Sequence, residues 1–173
     1  MKVLAFGASN NKNSINQQLA HYAAKQVPNA EVNMLDIHQL EMPIFSDERE
    51  KELGQPEQAK QFFQAISDAD LIVISFAEHN GSYTAAYKNV FDWTTRIDMK
   101  VFQGKPVIML ATSPGPGGAS SVLAAASGSA PYFAADVKAS ISLPSFYDNF
   151  DMETAQVTSE EFNRQLLDAI ETL

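Results

Sequence analysis

Residues 3–16 read VLAFGASNNKNSIN, a short apolar run that passes through a loop of small hydroxyl and amide residues into a helical pattern. The first backbone N–H groups of a helix have no acceptor inside the helix, and the helix dipole favours negative charge beside them. Ser9, Ser14 and Asn16 add side-chain donors at that position. Gly7 is expected to let the chain turn tightly as it leaves the strand. The stretch therefore predicts an anion pocket whose ligand carries a phosphate.

Composition limits the classes of protein to which the chain can belong. It has 173 residues, 45% of them hydrophobic, which suits one domain over residues 1–173 with one sizeable core. A net charge of −9 argues against nucleic acid or an anionic membrane as the partner. The lack of cysteine excludes disulfides, thiol catalysis and zinc–thiolate sites. Without a signal-peptide pattern or an apolar run of about 20 residues, we expect a cytoplasmic protein.

Short apolar runs alternate with helical patterns along the chain. These patterns predict five strands at 2–7, 31–36, 70–75, 106–111 and 137–143, and roughly five helices at 15–26, 56–67, 83–96, 119–130 and from Ser159 towards Leu173. Residues 37–55 are expected to be irregular, with a solvated charge run over 47–52. Continuous apolar strands separated by helices predict a parallel sheet covered on both faces. We therefore expect an α/β, three-layer flavodoxin-like fold with a five-stranded parallel sheet in the order 2-1-3-4-5.

Three loops of the predicted fold are rich in Ser, Asn and Gly. They follow the first, third and fourth strands and cover residues 9–16, 77–82 and 112–118. In such sheets ligands bind beyond the carboxyl ends of the strands, at the switch point in strand order, where these loops meet. Each loop also has a plainer interpretation: Ser14 as a helix cap, Asn80-Gly81 as a turn, and 113–118 as a rigid connection. Their coincidence at one edge favours a pocket for a nucleotide-type ligand.

Two common phosphate-binding motifs are absent from the first loop. It contains a single glycine, so it has neither the G-x-G-x-x-G pattern of dinucleotide sites nor the G-x-x-x-x-G-K-[ST] pattern of P-loops. A mononucleotide phosphate held by hydroxyls and amides fits these residues better than either.

The chain resembles the NADPH-dependent FMN reductase family at these three loops. That family has the flavodoxin-like fold and includes azoreductases and chromate or quinone reductases. Residues 7–16 are similar to its first-loop pattern, G-S-x-R-x-x-S-x-N. Residues 77–82 and 87–93, AEHNGS and YKNVFDW, match its patterns P-E-Y-N-G-S and L-K-N-A-x-D-W at family spacing. Residues 113–118 align with S-P-G-x-x-G-G, one residue shorter here.

The resemblance implies FMN as the cofactor and NADPH or NADH as the electron donor. It assigns a part of FMN to each loop. The FMN phosphate would be held by Ser9, Ser14, Ile15 and Asn16, with Asn11 at the position of the family's arginine. The isoalloxazine ring would lie along Glu78, His79, Asn80 and Gly81, with Ser82 closing that loop. The ribityl chain or the pyrimidine end of the ring would be flanked by Ser113, Pro114 and Gly115.

Four of the departures from the family pattern bear on the cofactor site. Asn11 replaces an arginine, with Lys12 beside it as a substitute charge; Ala77 and Thr84 replace prolines, and His79 replaces an aromatic residue. These changes would weaken FMN binding or shift the flavin potential. We predict no metal site, and no catalytic acid or base, because the flavin itself carries the hydride and electron chemistry.

Residues outside the loops have structural interpretations. Trp93 is expected in the core, and Lys88 in an ion pair or at an interface. Residues 42–45 resemble the family segment that reaches a partner subunit, which implies a homodimer or homotetramer with the acceptor site at its interface. Phe45 and Tyr83 are candidates for the wall of that site.

The resemblance implies an FMN-dependent NAD(P)H oxidoreductase. It would pass hydride through bound FMN to quinones, azo compounds, flavins or similar small acceptors by a ping-pong mechanism. Two alternatives stay open. A non-enzymatic flavodoxin-like electron carrier suits the charge of −9, although the T-x-T-G-x-T loop of flavodoxins is absent. A member of the fold that has lost FMN and acts as a binding partner would explain the missing arginine.

Overall fold

The centre of the computed structural model, which describes residues 1–173, is a parallel sheet of five strands. Its strands are β1 (Lys2–Ala8), β2 (Glu31–Met34), β3 (Leu71–Phe76), β6 (Pro106–Thr112) and β7 (Asp136–Leu143). They lie in the order β2-β1-β3-β6-β7, and every neighbouring pair is parallel. Counted within the sheet this order is 2-1-3-4-5, so the predicted flavodoxin-like fold is confirmed.

Helices cover both faces of the sheet. They are α1 (Ile15–Lys25), α2 (Asp47–Leu53), α3 (Glu57–Asp68), α4 (Ala85–Thr95), α5 (Ser120–Ser129), α6 (Phe146–Asn149) and α7 (Glu160–Ile170), with 3₁₀ turns at Ile37–Leu40 and Ala130–Phe133. The five predicted helices correspond to α1, α3, α4, α5 and α7. Ser14 and Ser159 cap α1 and α7, as their place before each helix predicts. None of the helices has the length and apolar character needed to cross a membrane.

Two apolar cores lie on opposite faces of the sheet. Successive residues of a strand point to opposite faces, so Leu4 and Phe6 join the core beneath α3, α4 and α5, whereas Val3 and Ala5 join the core beneath α1 and α7. Both faces of the central strands are therefore buried. This explains why their sequences are continuously apolar rather than alternating.

The prediction of irregular structure over 37–55 is wrong for α2. Ser46 caps this helix by accepting a hydrogen bond from the Arg49 N–H, and Gly54 ends it with φ of +68°. No residue of α2 is buried, so the charge run does face solvent as expected.

Two short hairpins were also not predicted. Strands β4 (Glu78–His79) and β5 (Ser82–Tyr83) precede α4, which therefore begins at Ala85 rather than at residue 83. The second hairpin, β8 (Phe150–Asp151) with β9 (Gln156–Val157), lies between α6 and α7. Two-residue strands are too short to show a hydrophobic period.

Residues 42–45 lie against α4 of the same chain. Trp93 is fully buried, and its indole N–H donates to the Pro43 carbonyl at 2.7 Å. The side-chain amide of Asn89 donates to the carbonyls of Met42 and Pro43 and accepts from the Phe45 N–H. The predicted core position of Trp93 is confirmed, and Lys88 forms an ion pair with Asp92, one turn along α4.

Candidate cofactor site

The N-terminus of α1 lies at the carboxyl edge of the sheet and presents free hydrogen-bond donors. The Ser14 hydroxyl oxygen accepts from the Gln17 N–H, which caps the helix. The N–H groups of Ile15 and Asn16 have no acceptor within the protein. Because the first turn of α1 has no acidic residue, these N–H groups and the helix dipole favour an anion at this position.

Gly7 explains how α1 approaches the sheet so closely. A Cβ atom at residue 7 would lie 2.5 Å from the Gln17 nitrogen, inside van der Waals contact. The Gly7 N–H also donates to the Gln17 side-chain oxygen at 2.6 Å. Gly7 lies within β1 and its φ is not positive, so the expected turn at this residue is wrong. What the residue provides is space for the helix backbone.

Side chains within the first loop fix its shape. The Asn11 N–H donates to the Ser9 hydroxyl oxygen, and the Asn11 side-chain oxygen accepts from the Asn13 N–H. Asn11 therefore shapes the loop from the position where the family has an arginine. Ser9 is 6% exposed and Ser14 7%, and neither hydroxyl proton has an acceptor in the protein. Both hydroxyls are free to donate to a ligand.

Asn16 joins α1 to the ends of two strands. Its side-chain oxygen accepts from the Ser75 hydroxyl at 2.7 Å and from the Thr112 N–H at 3.1 Å. Its side-chain NH₂ donates to the Thr112 carbonyl. Since Asn16 is only 2% exposed, its side chain holds the scaffold together. The part of Asn16 that is available to a phosphate is the backbone N–H.

The middle loop is the β4–β5 hairpin. Asn80 and Gly81 form its two-residue turn, with φ of 53° and 76°. This is the hairpin geometry that an Asn-Gly pair favours. The Glu78 carboxylate accepts from the Val122 N–H at 2.9 Å and so caps α5, whose own cap residue Ala119 offers no side-chain acceptor. The hairpin is thereby attached to the first turn of α5.

The third loop is held by the segment that follows β7. The N–H groups of Ser145 and Phe146 donate to the carbonyls of Gly115 and Ser113. These bonds bring Tyr147, whose side chain is 62% exposed, beside Ser113 and Pro114. Tyr147 lies outside the set of site residues predicted from the sequence. It follows the fifth strand, whose carboxyl end lies at the same edge as the three predicted loops.

The loops enclose a groove of about 270 Å³. Nine of the predicted residues line it: Ser9, Asn11, Ser14, Ile15, Asn16, Glu78, His79, Ser113 and Pro114. Four do not line it: Asn80, Gly81, Ser82 and Gly115. The groove also contains residues that were not predicted: Asn13, Ala77, Thr112 and Tyr147. Of these, Asn13, Ala77 and Thr112 fall inside the predicted loops.

The donors along this groove suit the phosphate of FMN. Two buried hydroxyls and two helix N–H groups have no acceptor in the protein. The carboxylate in the lining, Glu78, is engaged by the Val122 N–H. A mononucleotide phosphate at α1 would meet donors and no arginine, so its binding would rest on hydrogen bonds and the helix dipole rather than on a salt bridge.

Comparison with known proteins identifies the family. The family model for NADPH-dependent FMN reductases matches residues 1–147. The chain belongs to the NADPH-dependent FMN reductase family. Members of this family are oxidoreductase enzymes with FMN as cofactor and NAD(P)H as electron donor, so the family resemblance of the three loops is confirmed.

Individual relatives agree with this assignment. The chain is 34% identical over 117 residues to a 2-hydroxy-1,4-benzoquinone reductase from Burkholderia sp, and 31% identical over 116 residues to a quinone reductase from Escherichia coli K12. Each match covers 66% of this chain but only 62% and 61% of those relatives. The chain thus matches less than two thirds of the length of each of these curated relatives.

A solved structure supports the fold. FerB, a flavoenzyme NAD(P)H:(acceptor) oxidoreductase from Paracoccus denitrificans, superposes with a TM-score of 0.75 over 99% of this chain and 93% of FerB. Sequence identity to FerB is 24%, so this likeness bears on the fold alone.

Proposed function

We propose that this member of the FMN reductase family is an FMN-dependent NAD(P)H oxidoreductase, with residues 1–173 as one FMN-binding domain. The observation that carries the proposal is the set of unpaired donors at the start of α1: the N–H groups of Ile15 and Asn16 and the buried hydroxyls of Ser9 and Ser14. Every helix leaves its first N–H groups without an acceptor, and here two buried hydroxyls with free protons lie beside them. A bound phosphate gives each of them an acceptor.

The proposal also gives the remainder of the cofactor a path along the groove. Starting from a phosphate at α1, the groove runs between the hairpin residues Glu78 and His79 on one side and Ser113 and Pro114 on the other. In the proposal the ring and ribityl chain lie along these residues, beside the exposed Tyr147 ring. Asn80, Gly81 and Ser82 act by forming the hairpin that positions Glu78 and His79, and Gly115 by anchoring the Ser145 N–H.

The reaction follows from what the chain supplies. FMN, when bound, would supply the hydride chemistry between NADPH or NADH and a small acceptor such as a quinone, azo compound or flavin. The chain contributes position, a polar groove and partial exclusion of water. His79 lines the groove, and its ring nitrogens can hydrogen-bond a ring or an acceptor. Donor and acceptor bind in turn at one place, which gives ping-pong kinetics.

We further propose a homodimer or homotetramer. Ile44 is 82% exposed on a segment that its own α4 holds rigidly, so a second subunit has an ordered apolar residue to contact. In this arrangement Phe45, packed edge-on against Trp93, supports the segment from within. A cytoplasmic location remains a prediction from the sequence.

Flavin absorbance tests the proposal directly. Purified protein is saturated with FMN, made anaerobic and titrated with NADPH and then NADH, while the flavin band at about 450 nm is followed. We expect bleaching by at least one nucleotide and recovery when a quinone is added. A protein that retains no flavin absorbance after unbound FMN is removed by gel filtration contradicts the proposal and favours a member of the fold that has lost its cofactor.

A matched pair of cap variants tests the position of the phosphate. Ser14→Ala and Ser159→Ala each remove the cap of an 11-residue helix, but only Ser14 lines the groove. We expect Ser14→Ala to lower FMN affinity about tenfold, with little change for riboflavin, which has no phosphate. Ser159→Ala should change neither affinity. Equal losses for FMN and riboflavin would place the phosphate elsewhere.

A further inference from the structure

A second cavity lies between α4 and α5 and shares no lining residue with the cofactor groove. Its volume is about 340 Å³, within the range of sites for small organic ligands. Ten of its 14 lining residues are hydrophobic. The floor is formed by Phe76 of β3 and Met109 of β6. The walls are formed by the two helices, the residues that follow each of them, and Tyr83 of β5.

Tyr87 places an unpaired polar group in this apolar cavity. The residue is 3% exposed, and its hydroxyl has no hydrogen-bond partner in the protein. The hydroxyl oxygen is not enclosed by protein atoms but opens into the cavity, where a ligand can reach it. Burial, with the neighbouring Tyr83 phenol, raises the pKa of Tyr87 well above its usual value. Tyr87 therefore stays a neutral O–H donor, and an acceptor in the cavity would satisfy it.

The walls of the cavity suit a flat ring. Tyr83, Tyr87 and Phe91 form a row, with ring centroids 5.7 Å and 5.8 Å apart and neighbouring planes tilted by 40° and 38°. Phe133 meets Phe91 edge-on at 4.8 Å on the side towards α5. Aromatic rings arranged in these ways offer both faces and edges to a further aromatic group.

The charge of the lining suits a neutral ligand. Lys88 and Asp92 are the charged residues of the cavity wall, and they pair with each other at 2.7 Å. Neither charge is left free to attract an ion of opposite sign. A charged ligand would lose its hydration here without a partner of opposite charge.

We propose that the α4–α5 cavity binds a neutral, flat aromatic ketone whose carbonyl oxygen accepts a hydrogen bond from Tyr87. The site is separate from the cofactor groove and does not depend on the proposed reductase activity. It would let an aromatic ketone bind beneath the hairpin while FMN occupies the groove.

Binding of chromone, a bicyclic aromatic ketone, tests the proposal. Titrations followed by protein NMR or calorimetry are made on protein saturated with FMN, so that the groove is filled. Naphthalene, which has a similar shape and no carbonyl, is the comparison ligand. We expect chromone to bind with shifts confined to α4, α5 and β5, and Tyr87→Phe to weaken chromone about tenfold while naphthalene changes less than twofold.

Two tryptophan variants of α5 locate the site. Ser129 lines the cavity and is half-buried, so Ser129→Trp should fill it and abolish binding of both ligands. Ala125 is exposed on α5 and does not line the cavity, so Ala125→Trp should leave both affinities unchanged. Tyr87→Phe, Ser129→Trp and Ala125→Trp should all bind FMN with the affinity of the parent protein. An unchanged FMN affinity also shows that these variants fold.

Three results would overturn the proposal. The first is chromone binding that Ser129→Trp leaves intact, and the second is an equal effect of Tyr87→Phe on chromone and naphthalene. The third is a cavity closed by a second copy of the chain, recognised when chromone binds only to a monomeric form separated by size-exclusion chromatography.

Discussion

Asn16 shows how one buried side chain holds the cofactor groove together. Asn16→Ala would leave the Ser75 hydroxyl and both the N–H and carbonyl of Thr112 without partners in a buried site. Each unpaired buried group costs about 1–3 kcal/mol, and local relaxation recovers part of this. We expect the free energy of unfolding, measured with urea, to fall by about 3 kcal/mol.

Asn13→Ala is the matched control for this substitution. Asn13 belongs to the same loop and lines the same groove, but it is exposed and its side chain makes no hydrogen bond with the protein. The free energy of unfolding of Asn13→Ala should stay within about 0.5 kcal/mol of that of the parent protein. If Asn16→Ala were as stable as Asn13→Ala, the three bonds of Asn16 would not be what fixes the strand ends.

Gly7→Ala tests the close approach of α1 to β1. The new methyl group would overlap the Gln17 backbone, which cannot rotate away as a flexible side chain would. Relief requires α1 to move, at a cost of about 1–3 kcal/mol. Because the free N–H groups belong to the first turn of that helix, FMN affinity should fall together with stability. Gly128→Ala, where a methyl group meets nothing within 4 Å, is the control and should leave FMN affinity unchanged.

The turn predicted at Gly7 is wrong, whereas the phosphate contact predicted for Asn16 stays a prediction, now for its backbone N–H. For Ser14 the sequence left a phosphate contact and a helix cap both open, and the cap could be recognised because capping depends on residues three positions apart. The partners of Asn16 lie 59 and 96 positions away, at strand ends that only the folded sheet brings together. No local pattern distinguishes a buried, bridging asparagine from one that binds a ligand. For Gly7, the local pattern showed a small residue but not the helix that passes over it.

At the scale of elements, Glu78 couples the β4–β5 hairpin to α5. Helix α5 starts after Ala119, which has a left-handed backbone and no side-chain cap, and the Glu78 carboxylate supplies the missing acceptor. A carboxylate at a helix N-terminus also interacts favourably with the helix dipole. Glu78→Ala should therefore lower the free energy of unfolding by about 1–2 kcal/mol and reduce hydrogen-exchange protection in the first turns of α5.

Glu78→Gln separates the hydrogen bond from the charge. Glutamine keeps an acceptor oxygen at the same reach, so it should recover most of the stability that alanine loses. The remaining difference in stability between Glu78→Gln and the parent protein measures the interaction of the Glu78 charge with the helix dipole. This difference should shrink at high salt. If the glutamine and alanine variants were equally unstable at every salt concentration, capping by Glu78 would not be the main link between hairpin and helix.

The helix missed by sequence analysis, α2, had local signals on both sides. Ser46 and Gly54 mark its start and end, but no apolar stripe lies between them, and apolar period was the main basis for predicting helices. Its one specific tertiary tie is the ion pair between Glu50 and Arg96 beyond the end of α4, which depends on packing. When a helix has no buried face, its cap residues are the only sequence signal for it. These residues are common in loops as well, so they are a weak signal.

At the scale of the whole molecule, one topological rule explains most of what the sequence predicted. Parallel strands all end at one edge of the sheet. Loops that are far apart in the chain therefore meet at that edge, although no sequence motif indicates that they do. The rule brought residues 9–16, 77–79 and 112–114 together as expected. Applied also to the end of the fifth strand, it would have included Tyr147.

The net charge of −9 gives a prediction about how FMN reaches the groove. The FMN phosphate carries a charge of about −1.5 to −2 at pH 7, so the protein as a whole repels it. Raising the ionic strength from 0.01 M to 0.15 M shortens the Debye length from about 30 Å to about 8 Å and screens that repulsion. The hydrogen bonds at α1 act at contact and are screened much less. We therefore expect the association rate of FMN, followed by quenching of flavin fluorescence in stopped flow, to rise several-fold with salt.

Riboflavin is the control for this salt effect, since it has the same ring and no phosphate. Its association rate should change little over the same range. A rate for FMN that falls with salt would mean that a local positive field outweighs the net charge. The unpaired Lys12 of the first loop would then be its source, and Lys12→Ala should abolish the fall. A rise with salt for FMN alone would show that the net charge of the protein repels the phosphate and that no local positive field outweighs this repulsion.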